Sequence, residues 1–195
     1  MALTTPNLLT LARIATAPII ALLLLYSDPV ASLLAAGVFL LATLSDFLDG
    51  YIARSYGLAS TIGKFLDPLA DKIVVMTALI MLCGMSRMPR VPAWIVVILI
   101  VREMLVTGLR AIAAAEGMVV AAEELGKYKM VLQSIAIQGL LIHYTWFYID
   151  FFAAGMFVLI IATVVSVWSG IEYYVKVLRA LRPRPQAVAP KRAAM

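Results

Sequence analysis

Six long apolar runs, separated by short polar links, dominate the pattern of hydrophobic and polar positions along this chain. They cover residues 8–26, 29–46, 65–85, 92–115, 130–144 and 151–175. Each run approaches the roughly 20 residues that an α-helix needs to cross a bilayer, although the fifth is short unless it continues through Trp146. The pattern predicts an all-α polytopic membrane protein with six transmembrane helices in one domain, residues 1–178. A basic, flexible tail is expected over residues 179–195.

The basic residues predict the orientation of these helices. If the helices alternate in direction, fourteen of the sixteen Lys and Arg residues fall on the side that holds both termini, and only Arg87 and Arg90 fall on the other. Cytoplasmic loops carry such an excess of positive charge, so both termini are expected to be cytoplasmic. The net charge of +5 is then concentrated where it meets anionic lipid headgroups and phosphate-bearing substrates, and it gives no reason to expect nucleic-acid binding.

The composition agrees with this class of protein. With 64% hydrophobic and 14% charged residues, the 195-residue chain is unlike a soluble domain. A single cysteine, Cys83, excludes an internal disulfide. Aromatic residues near the predicted helix ends are typical of an interfacial belt. They include Trp94, Trp168, Tyr173 and Tyr174.

Four carboxylates interrupt the apolar pattern between the second and third predicted helices. They are Asp46, Asp49, Asp67 and Asp71. Spacings of three and four residues place each pair on one face of a helix. Because an aspartate at the centre of a membrane helix costs roughly 2.5–3.5 kcal/mol on insertion scales, a cation is expected among them. Oxygen ligands without His or Cys favour Mg²⁺ or Mn²⁺ over zinc, although ion pairs with Arg54, Lys64 and Lys72 are an alternative.

These acids belong to a longer pattern with fixed gaps. It reads Asp46-x2-Asp49-Gly50-x2-Ala53-Arg54-x8-Gly63-x3-Asp67-x3-Asp71. The pattern resembles the signature of the CDP-alcohol phosphotransferase family at every fixed position. The resemblance implies a membrane enzyme, commonly a homodimer, that displaces CMP from a CDP-linked lipid or alcohol with the hydroxyl of a second substrate. It implies metal bound by the aspartates.

A second group of charged residues is predicted on the same side of the membrane. Its cations are Arg102, Arg110, Lys127 and Lys129. Arg102 and Arg110 are eight residues apart, so they lie near one helix face and about 12 Å apart along its axis. Arginine suits bidentate phosphate recognition and lysine adds a point charge, so this group could bind the phosphate of an acceptor, with Glu103 orienting one arginine. Alternatively, Arg102 and Glu103 neutralise each other while the remaining cations extend to the interface.

Three segments resemble one branch of the family, the phosphatidylglycerophosphate synthases. They are Pro6-Asn7-Leu-Leu-Thr10-Leu-Ala-Arg13, Val101-Arg102-Glu103-Met-Leu-Val-Thr107-Gly108-Leu-Arg110, and Gly126-Lys127-Tyr-Lys129-Met130 with Gln133 following. In that branch threonine commonly stands where this chain has Met130. The resemblance implies transfer of a phosphatidyl group from CDP-diacylglycerol to sn-glycerol 3-phosphate, giving phosphatidylglycerol phosphate and CMP. It also implies a multi-pass enzyme of the bacterial inner (plasma) membrane whose active site faces the cytoplasm.

The resemblance also assigns roles to single residues. Asp46 and Asp67 would bridge two Mg²⁺ or Mn²⁺ ions, and Asp49 would complete one site. Asp71 would contact the second ion and act as the base toward the acceptor hydroxyl. The CDP-lipid would be bordered by Asn7, Thr10, Gly50, Ala53, Arg54, Ser60 and Gly63.

Two alternatives remain open at the level of sequence. Another acceptor, such as inositol phosphate, serine or phosphatidylglycerol, would keep the same chemistry. A divalent cation transporter would instead use the membrane carboxylates as a transport site, but such sites usually lie at mid-depth between related halves of the chain, and this chain shows no internal repeat.

Overall fold

Six α-helices and one short hairpin make up the part of the chain that the structure describes. The computed structural model describes residues 5–56, 61–117 and 124–181, and side chains at 10–45, 69–117 and 125–180. The elements are, in order, α1 (Thr5–Leu24), α2 (Pro29–Tyr56), α3 (Thr61–Gly84), α4 (Ala93–Ala115), α5 (Glu124–Ile142), β1 (Thr145–Trp146), β2 (Ile149–Asp150) and α6 (Phe151–Leu181).

The six predicted helices are all present, but several extend beyond the apolar runs. Helix α2 continues ten residues past Asp46, and α5 begins at Glu124, six residues earlier than expected. Hydropathy reports which residues suit an apolar environment, whereas a helical backbone also continues through polar residues. As a result, Lys127 and Lys129 lie on a helix and not in a polar link. Helix α6 ends at Leu181, and residues 182–195 of the expected tail lie outside the described residues.

A short hairpin, which the sequence did not predict, stands between α5 and α6 in this mostly helical structure. Helix α5 ends before His143, and Thr145 and Trp146 pair with Asp150 and Ile149 in an antiparallel ladder. Phe147 and Tyr148 form the two-residue turn with φ values of 51° and 66°. Positive φ at both central residues is typical of the turn that matches the twist of a two-stranded hairpin. The fifth helix therefore does not continue through Trp146.

The helices pack around one large apolar core, and α5 and α6 form an especially close contact with each other. Helix α1 packs on α2 and α3, while α6 packs on both α4 and α5. Gly139 and Gly155 face each other, and a Cβ at Gly155 would lie 2.7 Å from the backbone nitrogen of Leu140. Small residues allow such close approach between membrane helices. This contact fixes α6 against α5.

The outer surface of the bundle is apolar on every helix. Large exposed hydrophobic side chains occur on all six, among them Leu22, Leu41, Ile80, Leu105, Ile135 and Val164. Within the described residues, one helix, over Phe151–Ala180, is long and apolar enough to cross a membrane. Helix α4 is comparably apolar but carries Arg102, Glu103 and Arg110. These charges turn toward a cavity inside the bundle.

Candidate active site

A cavity of about 290 Å³ lies between α3, α4, α5 and α6. Its apolar walls come mainly from α3 and α4. Its charged lining brings Asp71 together with all four cations of the second predicted group. The charged residues are Asp71, Lys72, Arg102, Glu103, Arg110, Lys127 and Lys129. The described lining thus combines five cations with two carboxylates, which suits an anionic ligand.

Glu103 is the centre of an ion-pair network in the cavity wall. Its Oε2 lies 2.5 Å from Lys129 Nζ and 3.1 Å from Arg102 Nη1. Its Oε1 lies 3.7 Å from Lys72 Nζ, which also donates a hydrogen bond to Thr107 Oγ1. The side chain of Lys129 is only 9% exposed, so its charge depends on this carboxylate.

Arg102 joins α4 to α6. Its Nε donates to the backbone oxygen of Ser166 at 2.9 Å, and its Nη2 donates to Ser169 Oγ at 2.7 Å. Gly170 leaves room for the arginine stem, since a Cβ there would lie 3.2 Å from Arg102 Cγ. With its third nitrogen held by Glu103, the guanidinium is largely committed to contacts within the protein.

Arg110 and Lys127 differ from half-buried Arg102 and buried Lys129 because their side chains are exposed where they line the cavity. The guanidinium of Arg110 lies 5.7 Å from the ring centroid of Tyr173, a cation–π contact. Tyr173 is 5% exposed and packs with Val106, Ala113 and Val177. A fixed ring therefore supports Arg110 from α6. These two cations can meet an anion that enters from solvent.

The predicted metal and CDP-lipid residues fall partly outside the described side chains. The backbone of α2 is helical through Asp46, Asp49, Gly50, Ala53 and Arg54, and that of α3 through Gly63 and Asp67, but their side chains lie outside the described set. Asn7 lies in the helical backbone of α1, and its side chain is also outside the described set. Ser60 lies outside the described residues altogether.

Two members of these predicted groups have described side chains. Asp71 lines the cavity from α3. Thr10 is buried in α1, the helix that packs on α3. Among the residues whose side chains are described, no group of three or more His, Cys, Asp or Glu converges, and three of the four aspartates lie outside that set. The backbone is helical at all four aspartates, and in a helix the spacings of three and four residues put the members of each pair near one face.

Comparison with known proteins supports the resemblance found in the sequence. A family model described as CDP-alcohol phosphatidyltransferase matches residues 3–168. The chain belongs to the CDP-alcohol phosphatidyltransferase family. Three curated relatives, all from bacteria, match most of its length.

The first, from Bacillus subtilis (strain 168), is named "CDP-diacylglycerol--glycerol-3-phosphate 3-phosphatidyltransferase". It is 43% identical over 189 residues, which cover 91% of this chain and 96% of that protein. A Rickettsia bellii protein of the same name is 38% identical over 172 residues, covering 87% and 92%. A Mycobacterium tuberculosis (strain H37Rv) protein named "Probable phosphatidylglycerophosphate synthase" is 34% identical over 176 residues, covering 89% and 81%.

For this member of the family, the structure adds residues that sequence reasoning missed or described incompletely. Lys72 was considered only as an ion-pair partner of the aspartates, yet it contacts Glu103 and Thr107. Tyr173 was assigned to an interfacial belt, yet it is buried beneath Arg110. Nothing in the sequence pointed to Ser169, because it acts by accepting a hydrogen bond from Arg102, which is 67 residues away in sequence. Glu103 was predicted to pair with an arginine, and the structure adds its contacts with Lys72 and Lys129.

Proposed function

We propose that this protein transfers a phosphatidyl group from CDP-diacylglycerol to sn-glycerol 3-phosphate, giving phosphatidylglycerol phosphate and CMP. The observation that carries the proposal is the single cavity in which Asp71 and two exposed cations, Arg110 and Lys127, occur together. The printed names of the relatives support the same reaction for those proteins. Together they favour a phosphatidylglycerophosphate synthase within the family.

The cavity residues account for recognition of the acceptor. Arg110 offers the planar donor pair that suits a phosphate, and Lys127 offers a point charge. With the phosphate held by these exposed cations, the hydroxyl of glycerol 3-phosphate is directed toward Asp71. Asp71 would accept the hydroxyl proton, and the oxygen would form a bond to the phosphorus of the phosphatidyl group as the bond to CMP breaks.

The metal-binding role is proposed for the four aspartates. Asp46, Asp49, Asp67 and Asp71 supply only oxygen donors, which suit Mg²⁺ or Mn²⁺, and their positions on α2 and α3 give each helix two carboxylates on one face. Two such ions, when bound, would neutralise the pyrophosphate of the CDP-lipid and the charge that develops on the leaving CMP. Charges already present in the cavity wall, from Lys72 and Lys129, would add to this field.

The CDP-lipid is proposed to lie along α1, α2 and the start of α3. The residues assigned to it are Asn7, Thr10, Gly50, Ala53, Arg54, Ser60 and Gly63. The packing of α1 on α3 supports this placement, because the helix that contains buried Thr10 lies against the helix that carries Asp71. The donor and acceptor would then approach Asp71 from different helices.

We further propose six membrane crossings with both termini in the cytoplasm, in the inner membrane of a bacterium. The apolar exterior on all six helices and the bias of basic residues toward one side support this topology. The active site would then open to the cytoplasm, where glycerol 3-phosphate is soluble. A homodimer is proposed on the family resemblance.

Release of radiolabelled CMP from CDP-diacylglycerol, measured with one acceptor at a time, tests the proposed function. Glycerol 3-phosphate should support turnover that stops when EDTA removes divalent ions and returns with Mg²⁺ or Mn²⁺. Turnover with inositol phosphate, serine or phosphatidylglycerol instead would overturn the acceptor assignment. Ion flux in proteoliposomes without CMP release would favour a cation transporter.

A further inference from the structure

The geometry points to Glu103 as a positioning residue for the transfer: it fixes the helix of Asp71 relative to the helices that carry the acceptor-binding cations. This inference rests on the proposed function. Glu103 itself would touch neither substrate. Its effect would pass through the three cations that its carboxylate holds.

One carboxylate links four helices. Through Lys72 it reaches α3, through Lys129 it reaches α5, and through Arg102, which binds Ser166 and Ser169, it reaches α6. Glu103 itself belongs to α4. The network is therefore a polar junction at the place where the bundle leaves a cavity.

The junction lies beside the proposed base. Lys72 follows Asp71 directly in α3, and its ammonium is held both by Glu103 and by Thr107 of α4. Helix α3, which carries Asp71, therefore cannot slide or rotate relative to α4 without disturbing these contacts. Because Arg110 also belongs to α4, the junction sets the distance between the base and one acceptor-binding cation.

The same junction leaves the acceptor-binding cations themselves free of Glu103. In the described part of the chain, the ion pairs of Glu103 are with Lys72, Arg102 and Lys129, and neither Arg110 nor Lys127 takes part in them. Loss of Glu103 should thus retain the charges that bind phosphate but loosen the alignment of the hydroxyl with Asp71. Such a change lowers kcat without raising KM for the acceptor.

A simpler role must be separated from this one. Lys129 is almost buried, so Glu103 could be needed only to neutralise it. The variant Glu103→Gln keeps the shape of the side chain but leaves the ammonium of Lys129 without its carboxylate. The double variant Glu103→Gln/Lys129→Met removes that orphaned charge as well, and it keeps an unbranched stem at position 129. Glu116→Gln is the matched control, because Glu116 is an exposed glutamate at the end of the same helix.

The experiment measures kcat, both KM values and the thermal midpoint of the full-length chain in detergent. For Glu103→Gln we expect kcat to fall by about tenfold to a hundredfold, the range that small misplacements of reacting groups produce. KM for glycerol 3-phosphate should stay level or fall, because the cavity gains net positive charge. The double variant should recover the thermal midpoint but keep the low kcat, and Glu116→Gln should match the parent protein.

Other results would overturn the inference. Recovery of kcat in the double variant would show that Glu103 is only a counter-ion of Lys129. A selective rise in KM for the acceptor at unchanged kcat would show that Glu103 takes part in binding. Failure of the proposed function looks different: the parent chain would release CMP with another acceptor, and the comparison made with that acceptor would still test Glu103.

Discussion

Replacing Lys127 tests most directly whether the cavity binds the acceptor phosphate. Its side chain is exposed and lines the cavity, whereas Lys129 is held by Glu103. Lys127→Met removes the ammonium but retains an unbranched apolar stem, so packing on α5 is largely preserved. The expected result is a higher KM for glycerol 3-phosphate with an unchanged KM for CDP-diacylglycerol.

The size of the effect follows from the contact that is lost. A hydrogen bond to a charged group contributes about 1.5–3 kcal/mol. At ~1.4 kcal/mol per decade, this corresponds to roughly tenfold to over a hundredfold in affinity. Because Lys127 is exposed, water and salt screen its charge, and the lower end of about tenfold is expected.

The assay is CMP release with one substrate varied while the other is held at saturation. Lys176→Met is the matched control, since Lys176 is an exposed lysine on α6 that pairs with Glu172 at 3.3 Å and does not line this cavity. Equal increases in both KM values would refute the selective role and assign Lys127 to the metal site or the fold. No change in either KM value would show that Lys127 is a solvated surface charge without a part in substrate binding.

Three further variants probe the base, the support of Arg110 and the packing of the bundle. Asp71→Asn should insert and still bind CDP-diacylglycerol but lose nearly all turnover, and near-normal turnover of the purified variant would contradict its role as the base. Tyr173→Leu should raise KM for the acceptor by removing the ring under Arg110, whereas Tyr173→Phe should not; equal effects of the two would mean that the hydroxyl matters. Gly155→Ala should destabilise the protein by about 1–3 kcal/mol through overpacking against α5, measured as a lower thermal midpoint. Gly37→Ala, where nothing lies within 4 Å of the added Cβ, is its control and should be neutral or stabilising.

The helices were predictable because long apolar runs leave a clear hydropathy signal, but their ends were not. In α2 and α5 the backbone stays helical through polar residues that hydropathy treats as a link. The hairpin was missed for another reason. Its turn uses Phe147 and Tyr148 at positive φ, where glycine or asparagine is the usual signal.

Four cations of the cavity were predictable from the sequence, whereas its other members Lys72, Ser169 and Tyr173, and the different contacts of each cation, were not. Spacing indicated that Arg102 and Arg110 lie near one helix face, and the predicted topology put Lys127 and Lys129 on the same side; all four line the cavity. Which of them are committed to the protein depends on partners distant in sequence. Arg102 is held by residues 64 and 67 positions away, and no spacing rule within one helix reports such contacts.

The charge of the cavity gives a physical reason to prefer a phosphate-bearing acceptor over serine. Its described lining holds five cations and two carboxylates, and Glu103 is fully engaged by the cations around it. A phosphate monoester carries about −1.5 to −2 charges at pH 7, so it offsets about half to two-thirds of this excess of three positive charges. Serine is a zwitterion with no net charge and would leave that excess in place. Electrostatics thus favours a phosphorylated acceptor over a neutral one.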